Sequence, residues 1–242
     1  MKFALVSSER QEAQPNLTGF CIGCGSPMLA RCGAIRIQHW AHKKRVQCDS
    51  WWERETDWHR SWKNQFPDDW QEIVHHAKDG EKHIADIKTQ QGWVIEFQHS
   101  HIDPPERRSR EEFYKRLVWV VDGNRRINDK KKFFKVLGNI NGRWITNQSY
   151  PELKTTLPEG SLLLDWIGSS SHVFFDFGEE DLWWLLPNSQ AHCSYLVPIA
   201  RSKFIHLHRE ISTTGANEFD LLVKKYDLKP PKPRDAKAGF LL

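Results

Sequence analysis

The sequence lacks any run of about twenty apolar residues, the length that a helix needs to cross a lipid bilayer. Its N-terminal apolar stretch is also too short for a signal peptide, and no internal repeats are present. We therefore expect a cytoplasmic protein without membrane segments, in which cysteine thiols stay reduced.

Cysteine is scarce, with five in 242 residues, and four of the five lie within the first fifty positions. Such a cluster of reduced thiols indicates metal binding rather than disulfides. Cys21 and Cys24 have the Cys-x-x-Cys spacing of a zinc knuckle, in which the turn points both sulfurs at one ion. A redox role is disfavoured because no βαβ pattern surrounds the pair.

A second pair of ligands must complete a tetrahedral zinc site. We predict His39 and His42, in the segment H-W-A-H, for this role. Cys32 and Cys48 are competing candidates, and any two of these four residues would satisfy zinc.

The residues between the two ligand pairs are predicted to form a small hairpin, with strands at 29–32 and 34–38, as in a zinc ribbon. Another strand is predicted at 2–6. Residues 1–49 are therefore expected to form a zinc-ribbon-like segment, which is usually a folding staple or a nucleic-acid contact.

Two acidic residues lie on a predicted β-hairpin with strands at 83–89 and 93–98. If Asp86 lies opposite Glu96, the two acids share one face with Gln98, because side chains alternate along a strand. Neighbouring acids repel unless a cation lies between them, and Mg²⁺ prefers one or two carboxylates together with water and phosphate. The alternative is a solvated hairpin face with two incidental acids.

Residues 50–66 are predicted to form a helix with a capping box between Ser50 and Glu53. Its apolar residues recur at helical spacing, and Glu55 and His59 fall inside the same stripe. An acid and a histidine on a core-facing side are costly unless they are paired or bound to metal. Glu55 is the predicted third acid of the site, with Glu53 as the alternative; a simple surface pair is the other interpretation.

After the hairpin, a helix is predicted to start after Asp103, followed by a buried strand at 118–121. With a further strand at 70–74, the order is helix, three strands, helix, strand, which predicts a small α/β core over residues 50–124. From Arg107 to Arg143 there are twelve Lys or Arg against four Asp or Glu. This segment is where we expect an anionic partner, unless it is only a solvated basic face.

Residues 125–228 are predicted to form a β-rich, aromatic C-terminal extension. Its predicted strands are 143–146, 162–167, 172–177, 182–186, 195–199 and 204–208. The proline-rich basic tail, residues 229–242, is predicted to be disordered.

From Cys21 to about Val121 the chain resembles the CoiA-like competence protein family, whose core is similar to the PD-(D/E)xK nuclease fold. The motifs that carry the resemblance are H-W-A-H at 39–42, Glu55 with His59 and Lys63, I-A-D-I at 84–87, the E-x-Q-x-S-x-I set from Glu96 to Ile102, and Arg110 with Tyr114. The chain departs from the family at Ile84, where the family has arginine; Lys88 or Lys82 could substitute.

The resemblance implies a restriction-endonuclease-like α/β core that hydrolyses phosphodiester bonds, with DNA as the expected substrate. Glu55, Asp86 and Glu96 would hold Mg²⁺ or Mn²⁺, which would activate a water for attack on phosphorus. Gln98, in the position of the superfamily's usual lysine, would orient that water, and His59 would contact the scissile phosphate. The expected substrate-binding residues are Lys63, Lys88, Ser100, Arg107 and Arg110.

Two other functions fit the same sequence. One is a catalytically weak nucleic-acid-binding protein on a nuclease scaffold, which the changes at Ile84 and Gln98 favour. The other is a component of a mobile-element or phage-defence system, whose nuclease a protein partner switches on.

Overall fold

The computed structural model describes residues 1–46, 48–78, 80–138, 153–187, 189–190, 193–210 and 217–227. The chain divides into two units, Met1–Asp122 and Gly123–Leu242. It is mixed α/β and rich in strands. Over the described ranges, no helix is long and apolar enough to cross a membrane.

Unit 1 starts with five short antiparallel strands, in the order β2-β1-β3-β4-β5. They are β1 (Phe3–Val6), β2 (Glu9–Glu12), β3 (Thr18–Phe20), β4 (Pro27–Arg31) and β5 (His39–His42). The predicted strand at 2–6 is confirmed. The predicted hairpin is confirmed in its first arm, but its second arm is β5 rather than 34–38. This register buries Trp40 in the small core with Met28.

The rest of unit 1 follows the predicted order of helix, three strands, helix and strand. The elements are α1 (Asp57–Lys63), β6 (Gln71–His76), β7 (Lys82–Lys88), β8 (Val94–Gln98), α2 (Pro104–Phe113) and β9 (Leu117–Asp122). Successive neighbours in the sheet are β9-β8-β7-β6. Strands β6, β7 and β8 are antiparallel, while β8 and β9 are parallel and connected through α2. Burial alternates along β7, whereas every residue of β8 and β9 is buried.

Helix α1 is shorter than predicted, because residues 50–56 are not helical. Its capping box joins Thr56 and His59 instead of the predicted pair. The preceding segment is held by the side chain of Asp49, which accepts a hydrogen bond from the amide of Trp51, and the Trp51 ring stacks on a ring of β7. These tertiary contacts override the helical spacing of the tryptophans.

Unit 2 contains four strands that neighbour each other in the order β10-β13-β12-β11, all antiparallel. Its elements are α3 (Asp129–Gly138), β10 (Lys154–Thr156), α4 (Ser161–Trp166), β11 (His172–Asp176), β12 (Asp181–Leu185), β13 (Ser194–Ala200), α5 (Arg201–Arg209) and α6 (Glu218–Lys225). The predicted strands at 172–177, 182–186 and 195–199 are confirmed.

Two predicted strands of unit 2, at 162–167 and 204–208, are wrong, because residues 162–166 lie in α4 and residues 204–208 in α5. A short apolar run does not by itself distinguish a strand from a buried helix. In α5 the buried residues are Phe204, Leu207 and His208, which is the spacing of one helical face. The predicted strand at 143–146 and the predicted tail at 229–242 lie outside the described residues.

Candidate metal centre and active site

Three cysteines and one histidine of unit 1 form a compact cluster. One ligand atom from each of Cys21, Cys24, His42 and Cys48 lies within 4.8 Å of the other three. The knuckle that carries the first two sulfurs closes through Gly25, whose φ of +69° is a left-handed conformation suited to glycine. Its amide donates to the carbonyl of Cys21 at 2.9 Å. Three thiolates and one imidazole are a tetrahedral zinc donor set, so this cluster could hold a zinc ion.

The structure corrects one predicted zinc ligand, because His39 lies outside the cluster and Cys48 takes its place. His39 and His42 are three residues apart on β5, and side chains on a strand alternate between faces. Only one of them can therefore face the knuckle. His42 Nε2 lies 3.3 Å from Cys24 Sγ, whereas His39 Nδ1 lies 2.9 Å from the carbonyl of Ile37.

The thiols of the cluster differ in acidity. Burial raises the pKa of Cys48, and the neighbouring sulfurs of Cys24 and Cys21 raise it further. Burial also opposes ionisation of Cys24, but hydrogen bonds from Ser26 outweigh it and lower the pKa of Cys24 to about 6. One thiol in the cluster is therefore readily available as a thiolate, the form that binds metal.

Asp86 and Glu96 lie on adjacent strands and engage each other's backbone. The register pairs Ile87 with Ile95, which sets Asp86 opposite Glu96 as predicted. The amide of Asp86 donates to Glu96 Oε1 at 3.3 Å, and the amide of Phe97 donates to Asp86 Oδ2 at 3.0 Å. At this point of the hairpin, side-chain carboxylates accept hydrogen bonds from backbone amides across the two strands.

Glu96 is an unusually weak acid in this setting. Burial raises its pKa to about 8, and the nearby charge of Asp86 contributes to the rise. Arg110 opposes the shift, with its guanidinium 3.6 Å from Glu96 Oε2. Perturbed carboxyl groups of this kind concentrate at functional sites.

Lys63, at the end of α1, is the centre of a buried charge network. Its ammonium lies 2.9 Å from Asp86, 3.2 Å from Glu72 and 3.6 Å from Glu55. Burial alone would lower the pKa of Lys63, but these three carboxylates, led by Asp86, raise it above its ordinary value. Lys63 is therefore charged at neutral pH.

Glu55 precedes α1 rather than lying on it, yet it reaches the same network. It accepts two hydrogen bonds from Arg60, at 2.8 and 2.9 Å. Burial raises its pKa, but the bonds from Arg60 and the charge of Lys63 outweigh burial and lower the pKa to about 2. Glu55 and Asp86 are thus linked through the ammonium of Lys63.

Glu72 is a site residue that sequence reasoning missed. It is buried on β6 with φ +48°, a left-handed conformation that strains a residue with a side chain. Its carboxylate accepts from the amides of Lys2 and Phe3, at 2.7 and 2.9 Å, in addition to the ion pair with Lys63. Glu72 therefore ties β1 to the acidic network. No motif in the sequence signals this contact.

Glu53, the alternative acid, contacts the predicted catalytic amide. Its Oε1 accepts from Gln98 Nε2 at 2.8 Å and from the amide of Ser100 at 3.2 Å. Its Oε2 lies 3.2 Å from His59 Nε2. Both candidates for the third acid of the site therefore lie near it: Glu55 pairs with Lys63, and Glu53 contacts Gln98.

A cleft of about 720 Å³ opens onto these groups. It is lined by the predicted residues Glu55, His59, Lys63, Asp86, Glu96, Gln98 and Arg110, together with His42 and Cys48. Three predicted substrate-binding residues, Lys88, Ser100 and Arg107, do not line it. Arg107 is buried and pairs with Glu111 one helical turn away, so the structure corrects its assignment. Ser100 instead touches Gln98.

Residues 7–50 match the family model described as the N-terminal domain of competence protein CoiA. The match includes the three cysteines and the histidine of the cluster and ends before the acidic residues of β7 and β8. No curated protein and no solved structure matches the chain.

The matched segment is fastened directly to the strand that carries Asp86. The carboxylate of Asp49, which follows Cys48, lies 2.7 Å from His83 Nδ1 and accepts from the amide of Ile84 at 2.8 Å. Lys82 donates to the carbonyl of Gly23 in the knuckle at 2.7 Å. The cysteine cluster therefore positions β7.

Proposed function

We propose that this protein is a metal-dependent nuclease with a PD-(D/E)xK-like core, acting on DNA. The contact between Asp86 and Glu96 carries the proposal. Two carboxyl groups on adjacent strands are held together beside a cleft, and burial and mutual repulsion keep the pKa of Glu96 near 8. A divalent cation would relieve that repulsion.

The donor set suits Mg²⁺ or Mn²⁺, because all the groups offered are hard oxygen ligands. Asp86 and Glu96 would hold the ion, with Glu55 as the third acid. When bound, such an ion polarises a phosphoryl oxygen and lowers the pKa of a bound water.

The protein's own groups position the substrate and the carboxylates. Lys63 lines the cleft and holds Asp86 and Glu55 by ion pairs, which fixes where these carboxylates lie. Gln98 is oriented by Glu53, and it positions a phosphate oxygen or water through its amide. His59, fixed by Thr56 and Glu53, lies beside the same wall.

The match of residues 7–50 to the CoiA N-terminal domain supports a role in DNA processing. The resemblance of the later motifs to the same family supports the nuclease core. Asp86 and Glu96 lie on the neighbouring strands β7 and β8, which supports the proposal.

Cleavage of linear, supercoiled and single-stranded DNA and of RNA, each with Mg²⁺, Mn²⁺ or EDTA, tests the proposal. Asp86→Asn and Glu96→Gln should each lower the metal-dependent rate at least a hundredfold. Asp69→Asn, at an exposed acid outside the cleft, is the matched control and should cleave like the parent. Full cleavage by Asp86→Asn would contradict the proposal.

One observation favours the second function, a nucleic-acid-binding protein with little catalysis. Lys63 already compensates Glu55, Glu72 and Asp86 without a metal ion. Such a protein would bind the same nucleic acids tightly, with an affinity that falls as the salt concentration rises. It would cleave none of them with any metal ion.

A further inference from the structure

Trp52 is displayed at the cleft rather than packed in the core. Its side chain is 62 % exposed and lines the cleft, whereas the other tryptophans in the described part of the chain are buried or half-buried. No described aromatic ring stacks on it. An exposed indole in a concave site is a natural surface for a flat, partly apolar ligand.

The backbone around Trp52 is anchored, which fixes the point from which the indole projects into the cleft. The preceding residue, Trp51, stacks on His83 with ring centroids 3.2 Å apart. Its amide is held by Asp49 Oδ1, and the Trp52 amide donates to the Asp49 carbonyl at 3.4 Å. A base that stacks on Trp52 therefore meets an indole whose backbone is already ordered.

Two exposed cations lie along the same cleft, in addition to the buried Lys63 and Arg110. Lys44 and Arg45 follow β5, are exposed and line the cleft. Among the described residues, no acid pairs with either of them. Their charges are therefore available to an anionic ligand. The sequence predicted the anion-binding region at 107–143, and Arg110 of that segment lines the cleft; the exposed cations Lys44 and Arg45 come from the cysteine-rich segment.

The size of the cleft limits what can enter it. At about 720 Å³ it falls within the roughly 300–1,000 Å³ range of small-molecule sites. That volume suits unpaired nucleotides. It is too small to enclose both strands of a double helix.

We infer that the cleft takes a single-stranded nucleic acid, with one unpaired base stacked on Trp52 and neighbouring phosphates beside Lys44 and Arg45. That the bound strand is then cleaved at Asp86 and Glu96 rests on the proposed function. Aromatic platforms combined with cationic grooves are how proteins bind single strands without reading sequence.

Fluorescence anisotropy with a labelled oligonucleotide, single-stranded or annealed to its complement, tests the inference in Ca²⁺ buffer. The parent should bind the single strand more tightly. Trp52→Ala should weaken single-strand binding about 5- to 100-fold, the range expected for one lost base–aromatic contact. Trp52→Phe should restore most of that loss. Ile35→Ala, at a 98 % exposed apolar side chain outside the cleft, should bind like the parent.

Lys44→Ala should reduce the slope of log affinity against log salt by about 0.7, as one lost phosphate contact predicts for a single strand. Lys78→Ala, at an exposed lysine outside the cleft, is its control. Equal binding of single and double strands, or unchanged single-strand binding by Trp52→Ala, would overturn the inference even if the protein cleaves nucleic acid. A preference for the single strand that is lost in Trp52→Ala would support the inference even if the protein does not cleave nucleic acid.

Discussion

The ammonium of Lys63 lies 2.9 Å from a carboxylate oxygen of Asp86, which joins the end of α1 to β7 inside the protein. The lysine side chain is 6 % exposed and that of Asp86 is 20 % exposed. Because Glu55 and Glu72 share the same ammonium, three acids depend on one cation. Its removal would therefore affect the fold and the candidate site together.

Lys63→Met should lower the free energy of unfolding by about 3–5 kcal/mol, because it leaves buried carboxylates without their counter-charge. Urea denaturation at pH 7 measures the change. Lys63→Arg keeps the charge and should lose less. A loss below about 1 kcal/mol for the methionine variant would show that the network contributes little to stability.

The contribution of Glu96 to the stability of the parent should fall between about pH 5 and pH 8. By contrast, His75, His172 and His208, whose pKa values burial lowers to about 4, act in the opposite direction below their ordinary pKa of 6.5. Glu96 titrates near 8 in the folded chain instead of at its ordinary 4.5. Between these values the folded state holds a proton that the unfolded state has lost, so the free energy of unfolding decreases as pH rises. The decrease should be on the order of a few kcal/mol and should level off above pH 8.

Glu96→Gln isolates this effect, because the amide cannot ionise. The free energy of unfolding of the parent minus that of the variant should fall from pH 5 to pH 8, because every other titrating group is common to the two proteins. Glu55, with its pKa lowered to about 2, stabilises above its ordinary pKa and loses that contribution only as pH falls below it, outside this window. Parallel pH profiles for the parent and Glu96→Gln would contradict the assignment.

Purified protein should contain one zinc ion per chain, and Cys48→Ser should remove it. His39→Ala should retain it, because His39 faces away from the sulfurs. Elemental analysis gives the stoichiometry, and loss of zinc should also lower the thermal midpoint because metal binding is coupled to folding. Zinc retained by Cys48→Ser but lost by His39→Ala would reverse the ligand assignment.

Glu53→Ala should reduce cleavage about tenfold or more through Gln98, whose amide would lose its acceptor at 2.8 Å. The loss in stability should be modest, about 1–2 kcal/mol, as expected for a removed hydrogen-bond partner. Steady-state kinetics and urea denaturation on the same samples separate the two effects. A large stability loss with unchanged kcat would make Glu53 a purely structural residue.

Local patterns in the sequence determined the hairpin and the pairing of Asp86 with Glu96. Strand alternation and a short turn leave few registers for two such segments, and the one assumed from the sequence, with Asp86 opposite Glu96, is the one observed. Cys21 and Cys24 could likewise be predicted as metal ligands from the sequence, because both lie within one turn. The order of elements from α1 to β9 follows from the same local signals.

Only the tertiary structure decided which distant residues complete each site. His42 and Cys48 join the knuckle because the two-residue period of β5 turns His39 to the other face. Glu72 enters the lysine network through a strained backbone and the amides of β1, contacts some seventy residues apart. Such choices depend on packing between elements that are far apart in the chain, which residue spacing does not encode.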